Sequence, residues 1–215
     1  IPYVDVLMGT KGVIRSCISP AARMARCIRV TYDSTVLYDD MSNGGGIACD
    51  MENAIRMDAD CVAVQTFIGA PGESRSLELL CRTADAATRY GIPTLGVVAV
   101  GKEMERTEKF FLLATRVLAE NGANIVKSYF CDGFERVAAA CPVPIVIAGG
   151  KKLPELEALE MAYKAIDQGA HGVDMGRNIF QSEHPEAMCR AVAAVVHQGF
   201  DAKRAYEYYL ELANA

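Results

Sequence analysis

The chain is poor in the residues that usually announce a metal centre. Its three histidines, His171, His184 and His197, are too dispersed for a ligand set, and none of its eight cysteines forms a CxxC pair. A zinc cage is therefore not expected. No apolar run approaches the roughly 18 residues that cross a bilayer, and no signal-peptide pattern opens the chain. Nor is there a basic cluster beyond Lys151-Lys152; with 22 basic against 27 acidic residues the net charge is -5, a poor basis for holding nucleic acid. Gly44-Gly45-Gly46 lacks the spacing and preceding strand of a dinucleotide fingerprint and reads as a flexible loop. What is present fits one globular domain: 215 residues, 51% of them apolar, suffice for a sizeable core. The scattered cysteines lie in or beside apolar segments, where a free thiol acts as a small hydrophobe; Cys141, before Pro142, reads as packing. A reduced, cytoplasmic protein is expected.

Short valine- and isoleucine-rich runs recur at Tyr3–Met8, Cys27–Val30, Cys61–Phe67, Thr94–Val100, Ile125–Tyr129, Val143–Ala148 and Gly172–Met175. Helical spacing fills most of the intervals. It marks Ser74–Tyr90 and Arg106–Asn121, stopped by Gly91 and Gly122, and Leu153–Gln168, with Pro154 near its start and Gly169 at its end. Asp132–Ala140 is a short helical connection, and Glu186–Gln198 and Ala202–Ala213 close the chain as helices. Continuous apolar strands alternating with helices predict a parallel sheet covered by helices. Seven strands suit either an open doubly wound sheet or a (β/α)8 barrel that lacks its first strand. Glycines close behind the last two strands favour the barrel, whose phosphate sites lie there. The chain begins almost in a strand and without methionine, so a segment carrying the first barrel strand is expected to precede Ile1, making 1–215 a single, N-terminally incomplete barrel domain.

Lys127, in the middle of the apolar Ile125–Tyr129 run, is the leading candidate for chemistry. A lysine in a strand must be paired, reach solvent or be chemically employed. As an amine with a lowered proton affinity it attacks a ketone. Gly149, Gly150, Gly176 and Arg177 are candidate phosphate ligands, because glycines let the backbone approach an anion and the guanidinium adds a charge-assisted contact. Lys151 and Lys152 either strengthen that positive field or form a solvated helix start. Asp174 either pairs with a lysine across the barrel or faces outward. Gln65 is an inward polar group or an outward contact to a helix. Thr31, Tyr32, Asp33 and Ser34 bind substrate hydroxyls or make a turn. Lys102 and Glu103 line the mouth of the site or exchange a salt bridge. His197, near a helix end, suits the helix dipole.

At these residues the chain resembles the autoinducer-2 phosphate processing thiolases of the class I aldolase superfamily. The segments that carry the resemblance are ANIVKSYF, GFERVAAACPVPIVIAGGKKLPE, ALEMAYKAIDQGAHGVDMGRNIFQSEHPEAM and VVHQGFDAKRAYEYYLEL, with YVDVLMGTKGVIRS, CVAVQTFIG and GKEMERTEKFFLLATRVLAENGA before them. The resemblance implies a (β/α)8 TIM barrel that transfers acetyl from 3-hydroxy-5-phosphonooxypentane-2,4-dione to coenzyme A and releases dihydroxyacetone phosphate. It implies Lys127 as the Schiff-base lysine, Gly149 and Gly150 as the seventh-strand phosphate loop, and Gly176 and Arg177 as the eighth. Coenzyme A would be a co-substrate, with no bound cofactor, and the assembly a homo-oligomer, typically a decamer. The family's Asp-His-Gly motif at the end of the first strand has no match, its place lying upstream of Ile1. The usual small Ser-Gly loop after the third strand is replaced by Val30-Thr31-Tyr32-Asp33. Two other functions remain open at this point: a class I aldolase acting on dihydroxyacetone phosphate or fructose bisphosphate-like substrates, and an inactive truncated barrel or oligomeric scaffold.

Overall fold

The computed structural model describes residues 3–35, 37, 45–100 and 106–214. Its main sheet has seven strands, all parallel: β1 (Val6–Thr10), β2 (Ala25–Arg29), β5 (Cys61–Thr66), β6 (Thr94–Val98), β7 (Ile125–Ser128), β8 (Ile145–Ala148) and β9 (Gly172–Asp174). A two-stranded antiparallel pair, β3 (Thr31–Tyr32) and β4 (Gly46–Ile47), sits beyond β2. The helices are α1 (Lys11–Cys17), α2 (Met51–Arg56), α3 (Glu73–Thr88), α4 (Glu108–Glu120), α5 (Phe134–Ala140), α6 (Glu155–Asp167), α7 (Arg177–Phe180), α8 (Pro185–Gln198) and α9 (Ala202–Ala213).

The strands lie in chain order, β1-β2-β5-β6-β7-β8-β9. A doubly wound sheet reverses its order at a switch point, whereas a barrel does not. The architecture is thus a curled partial barrel, and the open-sheet alternative is excluded. The start of the chain reaches α8, the long helix that follows the last strand. Asp5, just before β1, meets His197 of α8 at 2.9 Å, and the Arg190 guanidinium of α8 lies 4.9 Å from the Tyr3 ring centroid. His197 is therefore engaged by a carboxylate from the opposite end of the chain as well as lying in the last turn of α8. Among the described residues β1 and β9 each keep one unpaired edge.

Strand alternation sorts the side chains into two environments. Ile28, Val62, Val64, Val126, Ile145 and Ile147 face outward and pack under helices with Leu80, Phe111, Leu118 and Phe134. The inner face collects Met8, Cys27, Cys61, Ala63, Leu95, Val97, Ile125 and Val146 from six strands. A second apolar cluster, including Leu159, Met188, Val195 and Tyr209, fastens α6, α8 and α9 together.

Local signals fix the helix ends. Thr107 caps α4 by accepting from the Phe110 N–H, and Asp201 caps α9 by accepting from the Arg204 N–H at 2.8 Å. Gly46, expected in a flexible loop, instead pairs with Tyr32 in the β3–β4 hairpin; Gly44 lies outside the described residues. A Cβ on Gly46 would stand 2.7 Å from the exposed Tyr32 ring, so a larger residue there would have to displace that ring. No helix among the described residues is long and apolar enough to cross a membrane.

Candidate active site

Lys127 lies on β7 between Val126 and Ser128, both buried on the helix side. Alternation turns its side chain to the inner face, where the Nζ meets Asp174 Oδ2 at 2.8 Å. The two side chains are 14% and 25% exposed, so the pair is shielded yet reachable from the barrel mouth. Register explains the meeting. Lys127 is level with Val146 on β8, and Val146 with Gly172 on β9; Asp174 stands two residues further along the strand. The stagger of a curled sheet brings a residue two strands away, and two positions on, to the same height.

Below this pair, Cys27 and Cys61 are ladder partners on the inner face. The hydrogen bond from Cys61 and burial push the Cys27 thiol up, and the Asp174 charge adds to this while Lys127 opposes it. Cys27 is thus held as a neutral thiol forming the floor under the ion pair.

The glycine loops after β8 and β9 are fastened to each other. The Gly149 N–H donates to the Asp174 carbonyl at 3.2 Å. Asn178, 1% exposed in the one-turn helix α7, donates from Nδ2 to the Gly149 carbonyl at 2.7 Å and accepts the Leu153 N–H on Oδ1 at 2.8 Å. One amide therefore holds both ends of the 149–153 loop. A Cβ on Gly149 would stand 3.0 Å from Met175 Cγ and 3.1 Å from Asn178 Nδ2, so a side chain there would press on the amide that holds the loop. Gly150 has φ +64, a conformation that side chains resist. Gly176 precedes α7, and its carbonyl accepts from the Ile179 and Phe180 N–H groups. Arg177 is exposed, and among the described residues it pairs with no carboxylate.

The remaining candidates divide. Gln65 is on the inner register line through Val97 to Lys127, and its backbone N–H donates to Thr31 Oγ1 at 3.2 Å. Thr31 is buried as a structural acceptor, and Tyr32 is exposed in β3. Lys152 is committed to Glu155 at 2.7 Å and to the Leu153 carbonyl, securing the start of α6; Lys151 is exposed. Lys102 and Glu103 lie outside the described residues. Cys141 packs in the outer core. Among the described residues no group of three or more His, Cys, Asp or Glu is placed to hold a metal ion. Asn178 is the site residue that sequence reading did not single out. The signal was an amide directly after Gly176-Arg177, where a backbone loop needs a two-ended partner.

A parallel curled barrel with an inward lysine and glycine loops at its mouth serves many chemistries, and the relatives decide among them. The DeoC/LacD family aldolase model matches residues 3–182, and the chain belongs to that family. It is 52% identical over 210 residues to an uncharacterized aldolase of Pasteurella multocida, an alignment covering 97% of this chain and 72% of that one. It is 53% identical, with the same coverage, to a 3-hydroxy-5-phosphonooxypentane-2,4-dione thiolase of Photorhabdus laumondii. Among solved structures, an archaeal fructose 1,6-bisphosphate aldolase superposes with a TM-score of 0.81 at 23% identity, covering 91% of this chain and 79% of that one. The chain is accordingly an enzyme of the thiolase/aldolase kind.

Proposed function

We propose that this enzyme moves the acetyl group of 3-hydroxy-5-phosphonooxypentane-2,4-dione to the thiol of coenzyme A, with Lys127 as the imine-forming nucleophile. The observation that carries this reading is the inward Lys127–Asp174 pair beside two glycine loops. Arg177 and the backbone of Gly149, Gly150 and Gly176 hold the phosphate. This fixes the adjacent C4 ketone over Lys127.

Asp174, 2.8 Å from Nζ, accepts the proton that the amine must shed. The free amine adds to C4, and loss of water leaves a protonated imine. The acceptor thiolate adds to the C2 carbonyl, forming a carbon–sulfur bond and an alkoxide. Collapse of the alkoxide breaks C2–C3, and the electron pair passes into the imine to give an enamine. Protonation at C3, then hydrolysis, releases dihydroxyacetone phosphate and restores the amine; acetyl leaves as the thioester. The protein's part is positioning, proton handling and electrostatics, and no bound cofactor is required.

The eight free thiols favour a reducing, cytoplasmic compartment. A homo-oligomer, as large as a decamer, belongs to the same proposal; light scattering reads its mass.

The test incubates the protein with dihydroxyacetone phosphate and borohydride, followed by intact mass and peptide mapping. A reduced adduct on Lys127 is expected, and its absence from folded protein sinks the imine reading in favour of a scaffold. Turnover of the dione should then require coenzyme A. Cleavage or synthesis with an aldehyde in place of the thiol identifies an aldolase, the name carried by the Pasteurella relative.

Asp174→Asn tests the proton acceptor. Turnover and the rate of adduct trapping are expected to fall together by about 10²–10³-fold. KM, governed by the phosphate loops, should change little. Trapping at the wild-type rate would show that Asp174 only satisfies the lysine charge.

A further inference from the structure

The inner face of β2 carries a second cation that the steps above do not use. Ile28 and Val30 are buried toward the helices, whereas Cys27 packs in the inner cluster. Arg29, two residues beyond Cys27, therefore projects from the same face one pleat nearer the mouth. Its ladder neighbours are Thr10 on β1 and Ala63 on β5, both small enough to leave the guanidinium room above the inner layer.

The guanidinium is held from one side. Its terminal nitrogen meets Asp33 Oδ2 at 2.6 Å, with the Asp33 side chain only 5% exposed and that of Arg29 33% exposed. Burial pushes the Asp33 carboxyl up, against the pull of Arg29. The Arg29 Nε is buried and finds no acceptor among the described residues. An arginine cannot discard its charge, and an unsatisfied buried donor is costly. A structural strut would use the fork of the guanidinium more fully. The side chain is nonetheless one-third exposed, so the guanidinium keeps a face that a ligand can reach.

With the phosphate at the β8 and β9 loops and C4 at Lys127, the acetyl end of the substrate extends across the barrel, toward β5 and β2. The oxygen on C2 becomes an alkoxide when the thiolate adds. We propose that Arg29 binds this oxygen and stabilises its developing charge, with Asp33 as the positioning residue that aims the guanidinium. The inference rests on the Lys127 imine reading. It gives the site two anion-binding poles, one for the standing charge of the phosphate and one for the charge made during acyl transfer.

The experiment compares wild type, Arg29→Gln, Arg29→Lys and Asp33→Asn in the intact protein. Arg29→Gln should lower kcat for acetyl transfer by about 10²–10³-fold, as loss of an oxyanion donor does elsewhere. Borohydride trapping of dihydroxyacetone phosphate, which has no acetyl end, should persist in that variant. Added guanidinium ion should restore part of the lost turnover, a response that a strut does not give. Asp33→Asn should lower kcat less and leave the adduct intact. If Arg29→Gln does not fold, Arg29→Lys takes its place; it keeps the charge but loses the planar fork of donors, and kcat should again fall with trapping retained. Wild-type kcat in either folded Arg29 variant overturns the assignment, as does a kcat loss that guanidinium fails to rescue in Arg29→Gln. An adduct in wild type with full transfer in the variants sinks Arg29 alone. No adduct in folded wild type sinks the imine reading and this assignment together.

Discussion

Lys127→Arg is expected to lower turnover by at least about 10⁴-fold and to abolish the borohydride adduct, while the protein stays folded. The choice of arginine separates chemistry from packing. The substituted guanidinium would keep a positive charge beside Asp174, whose carboxylate lies 2.8 Å from the lysine nitrogen in the native pair. It cannot become a neutral nucleophile, because a guanidinium does not lose its proton under these conditions. Lys127→Met removes both properties. It should show the same loss of turnover plus a stability cost, since a half-buried Asp174 would be left without its cation. Thermal unfolding of the two variants, read beside their kinetics, tells the roles apart. Adduct formation on another lysine, or measurable turnover by Lys127→Arg, would show that the amine at 127 is not the nucleophile.

The seven sheet strands were legible because each is a continuous apolar run between turn residues, the pattern of a strand covered on both faces. Ala202–Ala213 emerges with the expected bounds, and Ile125, Thr94 and Gly172 open their strands as expected. The first strand shifts to Val6–Thr10 because its pairing with Ala25–Arg29 runs through Gly9 and Thr10, residues that hydropathy does not favour. Helices α1 and α2 escaped notice as short segments whose stability comes from the core they cover. Only α2 carries a local mark, the Asp50 side chain accepting from the Asn53 N–H at 2.8 Å. The inward direction of Lys127 could be guessed from its apolar neighbours, and Asp174 could be named as a carboxylate that either pairs with a lysine across the barrel or faces outward, but the sequence alone does not choose between the two. Asp174 is 47 positions along the chain, and only the stagger of the curled sheet selects it over Gly172, the residue level with it. The position of Arg29 was hidden for a similar reason. In Cys27-Ile28-Arg29-Val30 the arginine is a single polar residue near the end of an apolar run, and only the inner-face packing of Cys27 in the folded sheet assigns it to that face.

Asn178→Ala should cost about 2–3 kcal/mol of stability and raise KM for the phosphorylated substrate by roughly 10–100-fold. The native amide is buried and makes two opposite bonds, donating to the Gly149 carbonyl at 2.7 Å and accepting from the Leu153 N–H at 2.8 Å. Alanine would leave both backbone groups without their partner and free the loop that presents Gly149 and Gly150. Asn178→Asp is the sharper variant. Its carboxylate still accepts the Leu153 N–H, but its second oxygen would face the Gly149 carbonyl, acceptor against acceptor. It would also set a negative charge behind the phosphate loop. The aspartate should therefore retain more stability than alanine at a pH where it can be protonated, yet bind phosphate less well once ionised. Unphosphorylated dihydroxyacetone supplies the control, because its weak trapping on Lys127 draws nothing from the loop. Equal losses for substrates with and without phosphate would mean that Asn178 supports the barrel as a whole. A loss confined to the phosphorylated one would assign the amide to the loop that holds the anion.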